Sequence, residues 1–222
     1  KVSQDFSNVQ FVIVDSEIDQ PNVASLLFEE HEGAFLVGMI AGELTKTGTL
    51  GFVGGMKIPL IIRTYQAFVA GAEYVNPDIK VLEAYAGVTL TAWSDPNKGK
   101  ELALAQIAQD ADIIFQAAGG TGMGVFDAVT ETSKLAIGSD TNQNSLRPGN
   151  ILTSMLKNVN IAVYQMIKES YQNSFKPGVH LFNLENYGMG YSFDEFNSDL
   201  IPMELIQRVE QAKKRYNCGY SK

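Results

Sequence analysis

A chain of 222 residues, 45% hydrophobic and 19% charged, is long enough to bury a substantial core in one large or two smaller lobes. Its formal net charge of -8, without any run of basic residues, argues against nucleic acid and anionic membrane surfaces as partners, because both reward clustered Lys and Arg. Cys218 is the only cysteine, which excludes an internal disulfide and a thiolate metal cluster, and no apolar run approaches the length of a membrane span.

In chain order, "KVSQDFSNVQFVIVDS" enters a buried-type strand at 11–14 almost at once, as a fold does when met partway through, so a processed or truncated amino terminus is expected. Residues 26–46 read as one long helix, with Gly38 and Gly42 a turn apart and suited to close packing on a sheet. Short apolar runs at 50–53, 113–115 and 135–137 lack strict alternation, the mark of parallel strands covered on both faces. Between them, "SDPNKGKELALAQIAQDA" offers Asp95 as a helix cap and Pro96 as the first helical residue, with Leu104, Ile107, Ala108 and Ala111 on one face. A later helix, "NVNIAVYQMIKESYQN", places Val159, Val163, Met166 and Ile167 inward, and Pro202 opens a final helix. The pattern is α/β and doubly wound.

The strand ends carry the functional signal. They fall at Asp15 and Ser16, at Gly54 and Gly55, at Gly119 and Gly120, and at Ser139 and Asp140. In open parallel sheets ligands bind outside the carboxyl ends of strands, where small residues admit a ligand to the backbone and carboxylates supply acceptors. Four such endings point to a polar small-molecule cleft. The glycine-rich stretch "QAAGGTGMGVFDA" at 116–128 invites a dinucleotide reading, but Gly120, Gly122 and Gly124 are spaced Gly-x-Gly-x-Gly, and the third position of the dinucleotide fingerprint falls on Val125. The phosphate loop is absent too, since Ser94 stands where its first glycine belongs and Glu101 replaces its Ser or Thr. Of the two histidines, His31 sits in an acidic stretch and His180 at a strand entry, neither within a catalytic motif; Glu29 and Glu30 are adjacent on a helix and so are not a catalytic pair. The chain carries a cleft pattern without a reactive group, a metal motif or a cofactor motif.

Four segments, "EGAFLVGMIAG", "AWSDPNKGKELA", "DIIFQAAGGTGMGVFDAV" and "GSDTNQ…ILTSMLKNVNIAVY", together resemble the basic membrane protein family, the nucleoside-binding lipoproteins that feed ABC transporters. The resemblance extends over essentially the whole chain. It implies a type I periplasmic-binding-protein fold: two doubly wound parallel-sheet lobes with three crossovers, closing on a purine nucleoside, the amino-terminal part of the first lobe being missing. On that reading residues 1–47 are the remainder of the amino-terminal lobe, 48–156 the carboxy-terminal lobe, 157–178 a return to the first lobe, and 179–222 the second lobe again with the final helix.

The family's site, carried over by position, puts Trp93 where a Phe usually stacks on the purine, Asp140 and Lys157 on the ribose hydroxyls, Asp15 with neighbouring Ser16 facing the cleft, and Gly120 and Gly122 where the backbone approaches the ligand. Lys157 reads as a helix-start lysine, an electrostatically disfavoured place for a cation that calls for a partner, with Asp140 the obvious one. The resemblance further implies no cofactor and no metal, an ABC permease as partner, and a place in the bacterial cell envelope through a lipid anchor outside this chain. Two other functions are weighed against this one: an NAD-dependent Rossmann-type oxidoreductase, disfavoured by the glycine spacing and the missing base, and a cytoplasmic ligand-sensing regulator of the same fold.

Overall fold

The computed structural model describes residues 1–219, with side chains as far as Lys214. Its centre is β3 (Thr49–Met56), buried at every position but the last. Such a strand needs cover on both faces. β4 (Lys80–Gly87) and β5 (Ile113–Ala117) flank it in parallel, β6 (Leu135–Asp140) and β7 (Ile151–Lys157) continue the parallel sheet, and β9 (Met189–Tyr191) closes one edge antiparallel, in the order β4-β3-β5-β6-β7-β9. Alternate residues of β5 serve opposite layers. Phe115 packs with Phe52 and Phe68 (ring centroids 5.5 and 5.1 Å away) on the side of α2 (Glu30–Leu44), α3 (Pro59–Val75) and α7 (Met203–Gly219). Ile114 joins Val53, Val125 and Phe126 under α4 (Pro96–Ile107) and α5 (Gly122–Glu131). The sheet is therefore doubly wound, as its uninterrupted apolar strands predict.

A second, three-stranded parallel sheet is built from β1 (Phe11–Val14), β2 (Val23–Phe28) and β8 (Gly178–Phe182), in the order β1-β2-β8; a single helical turn, α1 (Val2–Asp5), precedes it. α6 (Val159–Tyr171) covers one face through Ala162 and Met166, with Val159 and Val163 half-buried, whereas Ile167, expected inward, is 62% exposed. The expected inward face of α4 is met only in part: Ile107 packs on the core and Ala111, just beyond the helix, is buried, but Leu104 and Ala108 are exposed and the residues buried within the helix are Gly99, Ala103 and Gln106. A polar Gln106 turns inward because its amide donates to the carbonyl oxygens of both Phe52 and Leu82, at 2.9 Å each, and Gly51 leaves room for it.

The helix expected over 26–46 divides in two. Residues 23–28 form β2, since a short apolar run cannot be told from a buried helix by periodicity, and the helix starts only at Glu30. That helix packs chiefly against α3, β7, β9 and α7 of the large sheet's layer, so the first crossover lies after Phe28, well before the expected boundary at 47. The last also differs from expectation: β8 still pairs with β2, and the chain returns to the large sheet between Phe182 and Met189, later than 179. The three crossovers are stitched together where they meet. The Glu29 amide donates to Phe182 O (2.9 Å), the Asn158 amide to Gly188 O (2.8 Å), and the Leu184 amide to the Glu32 carboxylate (2.7 Å).

Gly38 and Gly42 do permit close packing, but against a helix. A Cβ on Gly38 would collide with Phe68 O, one on Gly42 would lie 2.9 Å from the Cα of Ala72, and one on Gly71 would collide with Phe35 O, so α2 and α3 touch backbone to backbone. Overpacking there leaves no flexible atom to yield. Gly71→Ala is expected to lower unfolding stability by about 1–3 kcal/mol, read as a lower urea midpoint at unchanged slope.

Candidate functional site

At the carboxyl ends of the large sheet's strands, beside the crossovers, lies a cleft of about 450 Å3. One wall is apolar: 58–61, where α3 begins, with Met155. Trp93 and Gly119 line it from the loops after β4 and β5, Ser139 and Asp140 from the end of β6, and Asp15 reaches it from the end of β1 in the small sheet.

The polar end is built around Lys157, the last residue of β7. Its Nζ lies 2.6 Å from Asp15 Oδ1 and 2.8 Å from Glu30 Oε1, and 5.0 Å from the centroid of the Phe28 ring. The side chains of Lys157 and Glu30 are only 7% and 6% exposed, Asp15's 40%. The lysine thus joins the end of β1, the start of α2 and its own strand. Burial alone would pull Lys157's pKa down; the charges and hydrogen bonds of Glu30 and Asp15 outweigh that and hold it above its ordinary value. Glu30 is pushed up by burial, only partly offset by Lys157, and Asp140 is pushed up by burial despite the field of Lys157. The expected Lys157–Asp140 pair does not form. Lys157 ends a strand, so no helix dipole demanded Asp140, and its bonds go to Asp15 and Glu30.

Asp15 and Asp140 both adopt the left-handed backbone region, with φ of 60° and 68°. That conformation costs about 1–2 kcal/mol for an ordinary residue and is least costly for Asn and Asp, and here it fixes the direction of two carboxylates at strand ends on one cleft. Behind Asp140 a polar network fixes the loops: Gln143 Oε1 accepts from the Ser139 amide and from Gln116 Nε2, both at 2.9 Å, and Gln116 Oε1 accepts from the Ala118 amide at 3.2 Å. Ser154 Oγ accepts from the Gln143 amide and donates to Asn144.

Trp93 ends a 3-10 turn, Leu90–Trp93, just before the Asp95 cap of α4, whose carboxylate accepts from the Lys98 amide. The glycine-rich turn supports that aromatic. Gly119 lines the cleft, and a Cβ on Gly120 would meet the Trp93 carbonyl at 3.2 Å. Gly122 is buried against the Gln116 side chain and Gly124 against Pro96 O, both away from the cleft. Ser16 is exposed and does not line it. His31 pairs with Glu29 at 3.0 Å, and His180 Nε2 sits 2.8 Å from Lys176 O. Of the residues read from sequence, the cleft unites Asp15, Trp93, Asp140 and Lys157. It adds Glu30, Thr64, Met155 and the start of α3. Glu30 carried no distinguishing sequence signal, being one of three carboxylates in the stretch Glu29–Glu32 at the helix start, and its partner is 127 residues away.

Two sheets joined by three crossovers, with a polar cleft at the strand ends beside the joint, define a substrate-binding protein of the type I periplasmic fold. A solute-binding protein of an ABC transporter system from Aeropyrum pernix superposes with a TM-score of 0.80 at 28% identity, over 97% of this chain and 66% of that one. The chain belongs to the Bmp family, the PnrA-like ABC transporter substrate-binding proteins, which it matches over residues 1–221; these are binding proteins and not enzymes. It is 37% identical over 209 residues to the ABC transporter nucleoside-binding protein BmpA of Lactococcus lactis, covering 86% of this chain and 58% of that protein. Basic membrane protein A of Borreliella afzelii is 31% identical over 96% of this chain and 66% of its own length. The chain thus spans about 58–66% of the length of these relatives. Among the described residues no helix is long and apolar enough to cross a membrane.

Lys157→Met strands Glu30 without its cation and is expected to cost about 3–5 kcal/mol in urea denaturation, with Asp15 half-exposed and little affected. Because the folded-state pKa of Lys157 is raised, the contribution of its own protonation is fully present below pH 10.5 and is lost as pH rises above that through the folded-state pKa. For Asp140, raised from 3.8, the sign gives the opposite lesson at neutral pH: stability present below 3.8 is lost as the acid ionises. Because Asp140 is exposed to solvent at the end of β6, Asp140→Asn, which keeps the left-handed backbone, is expected to be only slightly more stable than the parent at pH 7 and to converge with it in acid.

Proposed function

We propose that this protein captures a purine nucleoside between its two lobes and hands it to an ABC permease. The observation that carries the reading is a single cleft holding an aromatic ring, Trp93, together with two strained aspartates and a lysine, Asp15, Asp140 and Lys157. A flat apolar face suits a base, and carboxylates suit ribose hydroxyls as acceptors. Three carboxylates against one ammonium disfavour a phosphate, and the cleft offers no bidentate arginine. The name of the Lactococcus lactis relative supports the same ligand class. We place the protein in the cell envelope, lipid-anchored; a lipoprotein of Pyrococcus horikoshii, 30% identical over 99% of this chain and 60% of its own length, supports that placement.

Calorimetric titration with inosine, guanosine and adenosine, and with their monophosphates, tests the reading. Nucleosides are expected to bind and monophosphates to bind far more weakly; equal affinity for both removes the ribose-recognition reading. Trp93→Ala is expected to lose about 1–3 kcal/mol of nucleoside affinity while remaining folded.

A further inference from the structure

Trp93 is the protein's only tryptophan, and its ring is seated on Gly55, inside β3. A Cβ on Gly55 would come within 2.5 Å of Cζ3 and 2.9 Å of Cδ2, with Cε3 closer still. All three atoms belong to the six-membered ring of the indole. Nothing in the backbone requires glycine at this position, since its φ is not in the left-handed region; only the space above it does. The main chain of the tryptophan cannot retreat. Thr121, fully buried, donates its hydroxyl to Ala92 O at 2.8 Å and accepts from the Asp95 amide at 2.8 Å, gripping both sides of Trp93, while the backbone of Gly119 and Gly120 closes against the Trp93 carbonyl. With one side of the ring against β3 and its backbone pinned, the ring has one open direction, the cleft it lines.

We propose that Gly55 is a positioning residue that sets the depth of the Trp93 ring and hence the width of the slot left for the ligand's base. It rests on the nucleoside reading for its consequence, though not for its geometry. Residues 55 and 93 form a size-matched pair: the absent Cβ makes room for the second ring of the indole, and a phenyl ring at 93 needs less of that room. Gly55→Ala drives the indole into the cleft; Trp93→Phe in the same chain relieves it.

The test compares the parent, Gly55→Ala, Trp93→Phe and the double variant. In ligand-free Gly55→Ala the emission maximum of Trp93 and its quenching by acrylamide are expected to shift from the parent's, and inosine affinity by calorimetry to fall about tenfold or more, as overpacking of a fixed site implies. The double variant is expected to bind inosine about as well as Trp93→Phe alone, a coupling between neighbours that independent sites do not have. Parent-like emission and quenching in a folded Gly55→Ala, or losses that simply add in the double variant, overturn the proposal. If Gly55→Ala does not fold, folding of the double variant supports it and failure of both overturns it, because the collision is then not with the indole. Should the parent ignore inosine, the nucleoside reading falls, while the emission and quenching of the ligand-free proteins still decide the role of Gly55.

Discussion

The contact on which the rest of the structure depends is the buried ammonium of Lys157 held between Glu30 and Asp15. Desolvating a lysine and a glutamate costs several kcal/mol, which their attraction recovers only with good geometry and further hydrogen bonds. Here the geometry comes from three chain segments far apart in sequence: the end of β1, the start of α2 and the end of β7. Two of those ends adjoin crossovers, and the backbone bonds of Glu29 and Asn158 hold the crossovers side by side. A hydrophobic trio would stabilise the joint as well or better, so the charges contribute placement more than energy. They aim one cation, with a third donor still to give, at the mouth of the cleft.

The glycine-rich turn is subordinate to the same purpose. Its spacing resembles a phosphate cradle, yet its glycines face protein. Gly122 makes room for Gln116, Gly124 for the backbone of Pro96, and Gly120 for the carbonyl of Trp93, while Gly99 on α4 makes room for the Thr121 backbone in return. Gly124 and Gly99 remove Cβ atoms that would force α4 away from α5 and the turn before it, while Gly122 and Gly120 do the same against β5 and the turn bearing Trp93. The polar network of Gln116, Gln143 and Ser154 does the equivalent for Asp140, trading side-chain bonds for an ordered loop. A half-satisfied network of this kind would be costlier than an apolar core, so the amides bonded in it leave the loops beside Asp140 little freedom.

Much of this was legible in the sequence where the signal is local. Apolar runs without alternation gave the buried parallel strands at 50–53 and 113–115, and Asp95 with Pro96 marked the start of α4 correctly. What depended on distant partners was not legible. Residues 23–28 are a strand because β1 and β8 pair with them, and Gln106 is inward because two strand carbonyls await it. Glu30 reads as a surface acid until Lys157 arrives beside it. The site residues followed the same division. Strand-end acids are visible from pattern, so Asp15 and Asp140 stood out, whereas the true partner of Lys157 needed the fold.

The charge balance of the cleft then constrains what it can hold. Asp15 and Glu30 together already neutralise Lys157 with one charge to spare, and Asp140 stands apart from them, exposed to solvent in the cleft yet with its pKa raised by the protein around it. A carboxylate in that condition gains from any neutral donor that hydrogen-bonds it without adding negative charge. Hydroxyls do so; a phosphate would add the repulsion of further negative charge, with one already committed ammonium to offset it. The strain stored in the backbone at Asp15 and Asp140 points the same way, since it holds acceptors in place before a ligand arrives and spares the ordering cost on binding. Both the charge balance and the held backbone therefore favour the ligand class proposed above, an uncharged, hydroxyl-bearing molecule with a flat apolar face, over a phosphorylated one.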